Sequence, residues 1–474
     1  MREIPSHLLR YTAKQDYSLY TFEDQAVWRF IMRQLFHYLK DHAHPAYVDG
    51  LKKTGISIDT IPNISEMDTM LSSFGWRAVP VSGFIPPAAF MSFQAHRILP
   101  IACEMRSIEH ILYTPAPDIV HEAGGHPPIL IDKDFTDYLG AYADVAQKAI
   151  ISSEDIALYE AIRDLSDIKE ATDSSPEEIK KAEDHLGKTA KAMTYVSEAQ
   201  LLGRMNWWTA EYGLIGELDD PKLFGAGLLS SIGEARNALT KPKHIEFNIN
   251  CLDFSYDITE QQPQLFVAKN FESLISSLKE MSKSMAFTLG GEEGLKKAKR
   301  AQSVCTVELS NGNSYSGILT DYSLDENKNI KFLKINSPCL VNNSELIKED
   351  SLFEFTENLT VTSVYGGPSS FSKYPEFEDF AAKKISKNPI KNSDTETLLK
   401  DIRSFRADDG KDTNILSKLT DRYFEHSSEH WLAGLELLEM SGSNALRSHL
   451  LTLRDASPET DTAKCIDLGL SLIS

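Results

Sequence analysis

Between residues 23 and 40, Val27, Phe30, Ile31, Leu35 and Tyr38 recur at helical spacing, which predicts an amphipathic helix. A shorter helical stretch follows around Leu51. Asn63-Ile64-Ser65-Glu66 reads as a turn and cap opening a helix through Leu71. From Phe74 to Phe84 the pattern alternates, and Ile85-Pro86-Pro87 closes it, so a strand and a turn are expected. Residues 88–105 are mixed, and 119–150 are helical in pattern around His121. Residues 154–191 turn highly charged, with Ser174-Ser175-Pro176-Glu177-Glu178 as a helix start, and read as a surface helical hairpin. An apolar helix resumes over 195–212, and an amphipathic one spans 270–286.

The character changes after Gly290-Gly291 and the following GLKKAKRAQ, which read as a linker. Residues 303–309, 314–321, 330–335 and 359–365 read as short strands, the first two joined by an Asn311-Gly312 hairpin turn. Helical patterning returns over 374–474. The expected organisation is therefore residues 1–290 with a helical insertion at about 150–195, a small β-rich domain over 291–372, and a helical region over 373–474. No internal repeat is evident.

With 474 residues, 42% hydrophobic and 25% charged, the chain is long enough to bury a sizeable core. The net charge of −20 argues against a nucleic-acid surface and against anionic membranes. Five scattered cysteines without a CxxC pair read as reduced, mostly buried thiols. The first residues lack an apolar leader and no run is long enough to span a membrane, so the expected compartment is the cytoplasm.

Candidate chemistry centres on Pro117-Asp118-Ile119-Val120-His121-Glu122-Ala123-Gly124-Gly125-His126. A zinc protease motif needs histidines four apart on one helix face. Here they are five apart, which on a regular helix turns the rings about 140° from each other. A shared metal needs a local distortion, which Gly124 and Gly125 can permit. Glu211, within Trp207-Trp208-Thr209-Ala210-Glu211-Tyr212, is a third candidate, because a carboxylate in so apolar a run needs a cation or metal partner. Two imidazoles and one carboxylate form the ligand set of non-haem iron(II) oxygenases. The residue types alone leave a second reading open: a helix break at the glycines and Glu211 paired with an arginine.

At these residues the chain resembles the tetrahydropterin-dependent aromatic amino acid hydroxylases. Tyr113-Thr114-Pro115-Ala116-Pro117-Asp118 leading into His121-Glu122 and Gly125-His126 resembles the family signature, as does Trp207 through Leu214. So do Phe224 through Ser231 with Gly233-Glu234, and Tyr256-Asp257-Ile258-Thr259 with Gln262-Pro263. The likeness covers roughly residues 20–285. The departures are Ala123-Gly124, Asn206, Pro86-Pro87 and the long stretch between His126 and Glu211, which contains the charged hairpin.

The resemblance implies an α+β fold with a mostly helical catalytic domain. It implies a monooxygenase using Fe(II), a tetrahydropterin (tetrahydrobiopterin or a related pterin) and O2 as cosubstrate. By it, His121, His126 and Glu211 are iron ligands, and Glu122 shapes the oxygen and pterin pocket. Gly83, Ile85 and Phe90 belong to the pterin loop, with Phe90 stacking on the cofactor. Arg106 binds the substrate carboxylate, a task that suits a guanidinium fork. Thr114, Pro115, Trp207, Gly227 and Ser230 line the amino acid pocket, Trp207 stacking on the ring. Asp118 is expected either to orient a metal-bound imidazole or to cap a helix. The apolar Ile258 favours phenylalanine as substrate, with tryptophan second. A zinc hydrolase with Glu122 as base and a binding protein with a dead site are the rivals. His426 and His430, four apart on an expected helix, form a decoy pair read as a solvated face. The partner is a small aromatic amino acid; homo-oligomerisation is left open.

Overall fold

The computed structural model describes all residues except 1–2, 113–116, 171–173, 257–260, 311, 325, 327–329, 343, 350, 355–358, 364–392, 409 and 474. The fold is α+β and mainly helical. Helix α1 spans Phe22–His42, opened by a capping box between Thr21 and Asp24. Helices α2 (Ala46–Lys53) and α3 (Ile64–Leu71) follow, Asn63 capping α3 through Ser65 N. The expected strand is real but shorter: β1 is Arg77–Val81, and it pairs in parallel with β2 (Ile98–Ala102) across α4 (Pro87–Ala95).

The helix expected over 119–150 is broken into three: a π-helical turn Val120–Gly125, a 3-10 turn Pro127–Ile131, and α5 (Lys133–Ala146). Pro127 and Pro128 account for the first break, since neither supplies an N–H. The charged segment forms the expected hairpin, α6 (Ser153–Glu170) and α7 (Pro176–Ala192), with Ser175 and Glu178 forming a capping box. Helix α8 (Glu198–Asn206) continues into a second π-helical turn, Trp207–Glu211. Strands β3 (Leu214–Glu217), β4 (Asp220–Leu223), β5 (Lys243–Glu246) and β6 (Gln264–Ala268) make a mixed sheet of order β4-β3-β6-β5. Helices α9 (Ala226–Ser230) and α10 (Ile232–Ala238) lie between β4 and β5, and α11 (Phe271–Ser282) follows β6.

A short helix α12 (Ala286–Leu289) follows α11, and helix α13 (Gly291–Ala301) occupies the expected linker. Gly290 and Gly291 adopt positive φ, and α13 then buries Leu295, Ala298 and Ala301, an apolar face masked in sequence by four lysines and arginines. Strands β7 (Val304–Leu309), β8 (Ser314–Leu324), β9 (Ile330–Val341), β10 (Glu345–Ile347), β11 (Ser351–Glu354) and β12 (Leu359–Ser363) form an antiparallel sheet of order β10-β9-β8-β7-β12, with β11 also on β9. Gly312 takes positive φ in the β7–β8 turn; Asn311 lies outside the described residues.

The chain ends in helices α14 (Ser393–Ala407), α15 (Thr413–His426), α16 (Trp431–Ser441), α17 (Asn444–Ala456) and α18 (Asp461–Leu472). Of these, α14, α16 and α18 pack on α1, where Arg29 is buried against Glu436 and Gln34 donates to the Leu468 carbonyl. One apolar cluster runs from the first 290 residues into this bundle, while the antiparallel sheet with α13 has a second. All five cysteines are free, and four are buried, as expected. Among the described residues no helix is long and apolar enough to cross a membrane.

Candidate metal centre

The five-residue histidine spacing is resolved by the π turn. A turn of this kind bonds to the carbonyl five residues back, which brings residues five apart nearer to one face than a regular helix does. His121 and His126 bracket this turn, with ring centroids 5.0 Å apart. The glycines serve a different purpose from a left-handed backbone. A Cβ on Gly125 would lie 2.6 Å from the Ala226 carbonyl oxygen, and one on Gly124 would lie 3.1 Å from Met32 Sδ. They let α9 and α1 close on the turn.

Glu211 ends the second π turn. Its Oε2 lies 3.3 Å from His121 Nε2 and its Oε1 lies 3.6 Å from His126 Nε2. One donor atom from each of the three side chains falls within 4.8 Å of the others. Ligands at about 2.1 Å from one ion and about 90–110° apart would lie roughly 3.0–3.4 Å from one another. The observed separations fit a single metal ion. Among the described residues His126 Nε2 is buried with no hydrogen-bond partner, as is Glu122 Oε2, which lies 3.8 Å from it. Such orphaned atoms are what a bound cation would satisfy.

The tautomer of His121 follows from its neighbours. Ser230 Oγ donates to the Ala226 carbonyl at 2.7 Å, so it accepts from His121 Nδ1–H at 2.9 Å. With a metal bound, the Nε2 lone pair would then be free to ligate it. Ser230, expected to touch substrate, thus holds an imidazole. Asp118 does not bond the His121 ring. It accepts from the His121 backbone N–H at 3.1 Å and grips Arg106 through Nε (2.6 Å) and Nη2 (2.8 Å). Both residues of this ion pair are almost fully buried.

Electrostatics favour a cation. Burial depresses the His126 pKa to about 4, keeping the ring neutral. Burial works to raise Glu211, but the His126 and His121 rings overcome it and hold the carboxyl near 2. Burial likewise opposes the charged form of His121, and the Glu211 hydrogen bond and charge outweigh it, lifting His121 to about 9. Burial pushes Glu122 up to about 8. Without a metal the proton on His121 is the positive charge that answers Glu211.

Of the expected pterin-loop residues, Phe90 is the one placed beside this centre, its ring 6.3 Å from the His126 ring. Gly83 is buried at positive φ, and Ile85 packs against the apolar cluster of Leu8, Val79 and Phe93. A Cβ on Gly227 would lie 2.8 Å from the Tyr212 ring, so this glycine is needed for close approach. Trp207 stacks on Tyr256 (4.3 Å, 8°) and Tyr212 (4.5 Å, 26°), two rings that the sequence reading did not assign to the pocket. Their presence in the matched segments was the signal available. Asn206 Nδ2 approaches Glu211 Oε1 at 3.4 Å. Thr114, Pro115 and Ile258 lie outside the described residues.

The decoy pair does not share a helix. His426 ends α15, whereas His430 caps α16 and bonds Glu23 through Nε2 at 2.7 Å. The intervening Ser427 leaves helical geometry and separates them.

A sequence model described as biopterin-dependent aromatic amino acid hydroxylase matches residues 8–153 and 191–290, more than half of the chain. The gap between the two matched parts falls on the α6–α7 hairpin. A phenylalanine-4-hydroxylase of Mesorhizobium japonicum is 29% identical over 269 residues, covering 56% of this chain and 81% of the relative. One from Dictyostelium discoideum is 30% identical over 273 residues, covering 56% of this chain and 52% of the relative. A crystal structure of the Chromobacterium violaceum enzyme with iron(III) and 7,8-dihydrobiopterin aligns at a TM-score of 0.45 and 23% identity, covering 60% of this chain and 92% of that one.

Proposed function

Since the chain belongs to the biopterin-dependent aromatic amino acid hydroxylase family, we propose that it converts free phenylalanine to tyrosine, with iron(II) held by His121, His126 and Glu211. The observation that carries the reading is the convergence of two Nε2 atoms and one carboxylate beside an orphaned buried imidazole. A facial set of this kind leaves coordination positions open. Iron(II) and a reduced pterin, when bound, supply the electrons that activate dioxygen for ring hydroxylation.

The chain's own residues bind, orient and exclude water. Arg106, fixed by Asp118 along its Nε–Nη2 edge, meets the substrate carboxylate with the rest of its fork. Trp207 and Gly227 line the space proposed for the aromatic ring, with the Trp207 indole held by stacking on Tyr212 and Tyr256. Phe90, Gly83, Ile85 and Glu122 would hold the pterin, the Phe90 ring by stacking on it. Ser230 keeps the His121 lone pair on the metal side. Positioning of this sort is worth on the order of 7–11 kcal/mol of barrier.

Phenylalanine is favoured because the relatives named above are phenylalanine hydroxylases. Purified protein given iron(II), tetrahydrobiopterin and dioxygen is expected to form tyrosine, with tryptophan a poorer substrate, measured by chromatography of all three aromatic amino acids. Faster conversion of tryptophan would transfer the assignment to that substrate. Absence of product from all three, with zinc retained in the protein, would reject the oxygenase reading.

A further inference from the structure

Glu198 is a buried carboxylate that the metal and substrate residues do not use. It is the first residue of α8, the helix that runs on into the turn carrying Trp207 and Glu211. It accepts hydrogen bonds from Ile150 N at 3.2 Å, Ala286 N at 2.8 Å and Lys297 Nζ at 2.7 Å. These donors come from three separate stretches: the chain before α6, the start of α12, and the middle of α13. Lys297 donates in addition to the Ser284 carbonyl at 2.6 Å.

The surroundings reinforce the junction. Ser303 Oγ donates to the Ile151 carbonyl, and Ala199 N donates to the Ile150 carbonyl at 3.3 Å. The Arg300 guanidinium sits over the Tyr195 ring at 3.9 Å. Ile150 and Ala286 share one apolar cluster with Leu295 and Leu333 of the α13–sheet unit. A carboxylate in such a place is retained against a substantial desolvation penalty. Its partners therefore specify where α8 begins, and a helix transmits that placement along its length as a rigid element.

We propose that Glu198 is a positioning residue for the metal centre, through which the α13–sheet unit braces the helix that aims Glu211. The inference rests on the metal reading above. It assigns to residues beyond 290 a part in the metal site, although the family match ends there.

The test is metal binding by the full-length protein, titrated with Co(II) as an oxygen-stable probe, beside thermal melting of the same samples. Glu198→Ala is expected to weaken Co(II) about tenfold. Glu198→Gln, which keeps an acceptor for both backbone N–H groups, is expected to recover most of that loss. Leu333→Ala removes buried side-chain volume from the same sheet and serves as the control for destabilisation alone. It should lower the melting temperature and leave the Co(II) affinity unchanged. Wild-type affinity in a folded Glu198→Ala protein would overturn the brace. So would an equal loss in Leu333→Ala, which would make the effect one of stability. Should wild-type protein bind no Co(II) that Glu211→Ala abolishes, the metal reading itself falls and takes the brace with it.

Discussion

A single hydroxyl shows how much of this centre depends on side chains outside the ligand set. Ser230 Oγ sits between the Ala226 carbonyl and His121 Nδ1 and thereby selects the tautomer of a proposed ligand. Ser230→Ala is expected to weaken Co(II) or Fe(II) binding about tenfold while the protein stays folded, as titration with circular dichroism would register. His121, His126 and Glu211 were legible in the sequence, because few buried positions tolerate such groups without a partner. The partners of Ser230 and Asp118 were not, since which groups they meet depends on α9 and the π turn coming together. Asp118 could be suspected near His121 from spacing alone. That it grips Arg106 required both segments to fold.

At the scale of the element, the two π turns matter most. An extra residue in a helical turn leaves its carbonyls short of their usual donors, and side chains fill in. Thr209 Oγ1 lies 2.6 Å from the Met205 carbonyl and 2.7 Å from Tyr138 Oη, within the turn that ends at Glu211. Thr209→Val would leave the buried Tyr138 hydroxyl and the Met205 carbonyl without this partner. Urea unfolding should then show a loss of about 1–3 kcal/mol. The capped helices α1, α3 and α7 were legible because cap, first turn and apolar stripe lie within a few residues. Helix α13 was missed because its apolar face is short and small, set among charges that read as a linker.

Across the whole molecule, α1 is the element that joins the part with the candidate metal centre to the C-terminal bundle. Arg29 bonds Glu436 at 2.7 Å, Glu439 at 2.8 Å and Asp59 at 3.1 Å, and Arg33 and Arg406 join the same acids. Beside them Phe30 meets the edge of Trp431, 5.4 Å between centroids, and Glu396 accepts from Phe22 N and Glu23 N at the start of α1. Arg29→Ala would strand Glu436 and Glu439 with fewer cations. A loss of about 3 kcal/mol in denaturant unfolding is expected, with smaller losses for Asp59→Asn at the exposed end of the network.

Local pattern alone determined most helices and strands, the charged hairpin and the candidate His121–His126 pair, since each of these depends on neighbours a few positions away. Tertiary structure decided the rest. It turned a five-residue histidine spacing into a π turn closed by α9, buried Arg29 and Gln34 of α1 beneath a bundle hundreds of residues later, and gave Glu198 its three donors. The reason is common to all three: a polar group may be buried only where partners meet it, and here those partners arrive from distant parts of the chain.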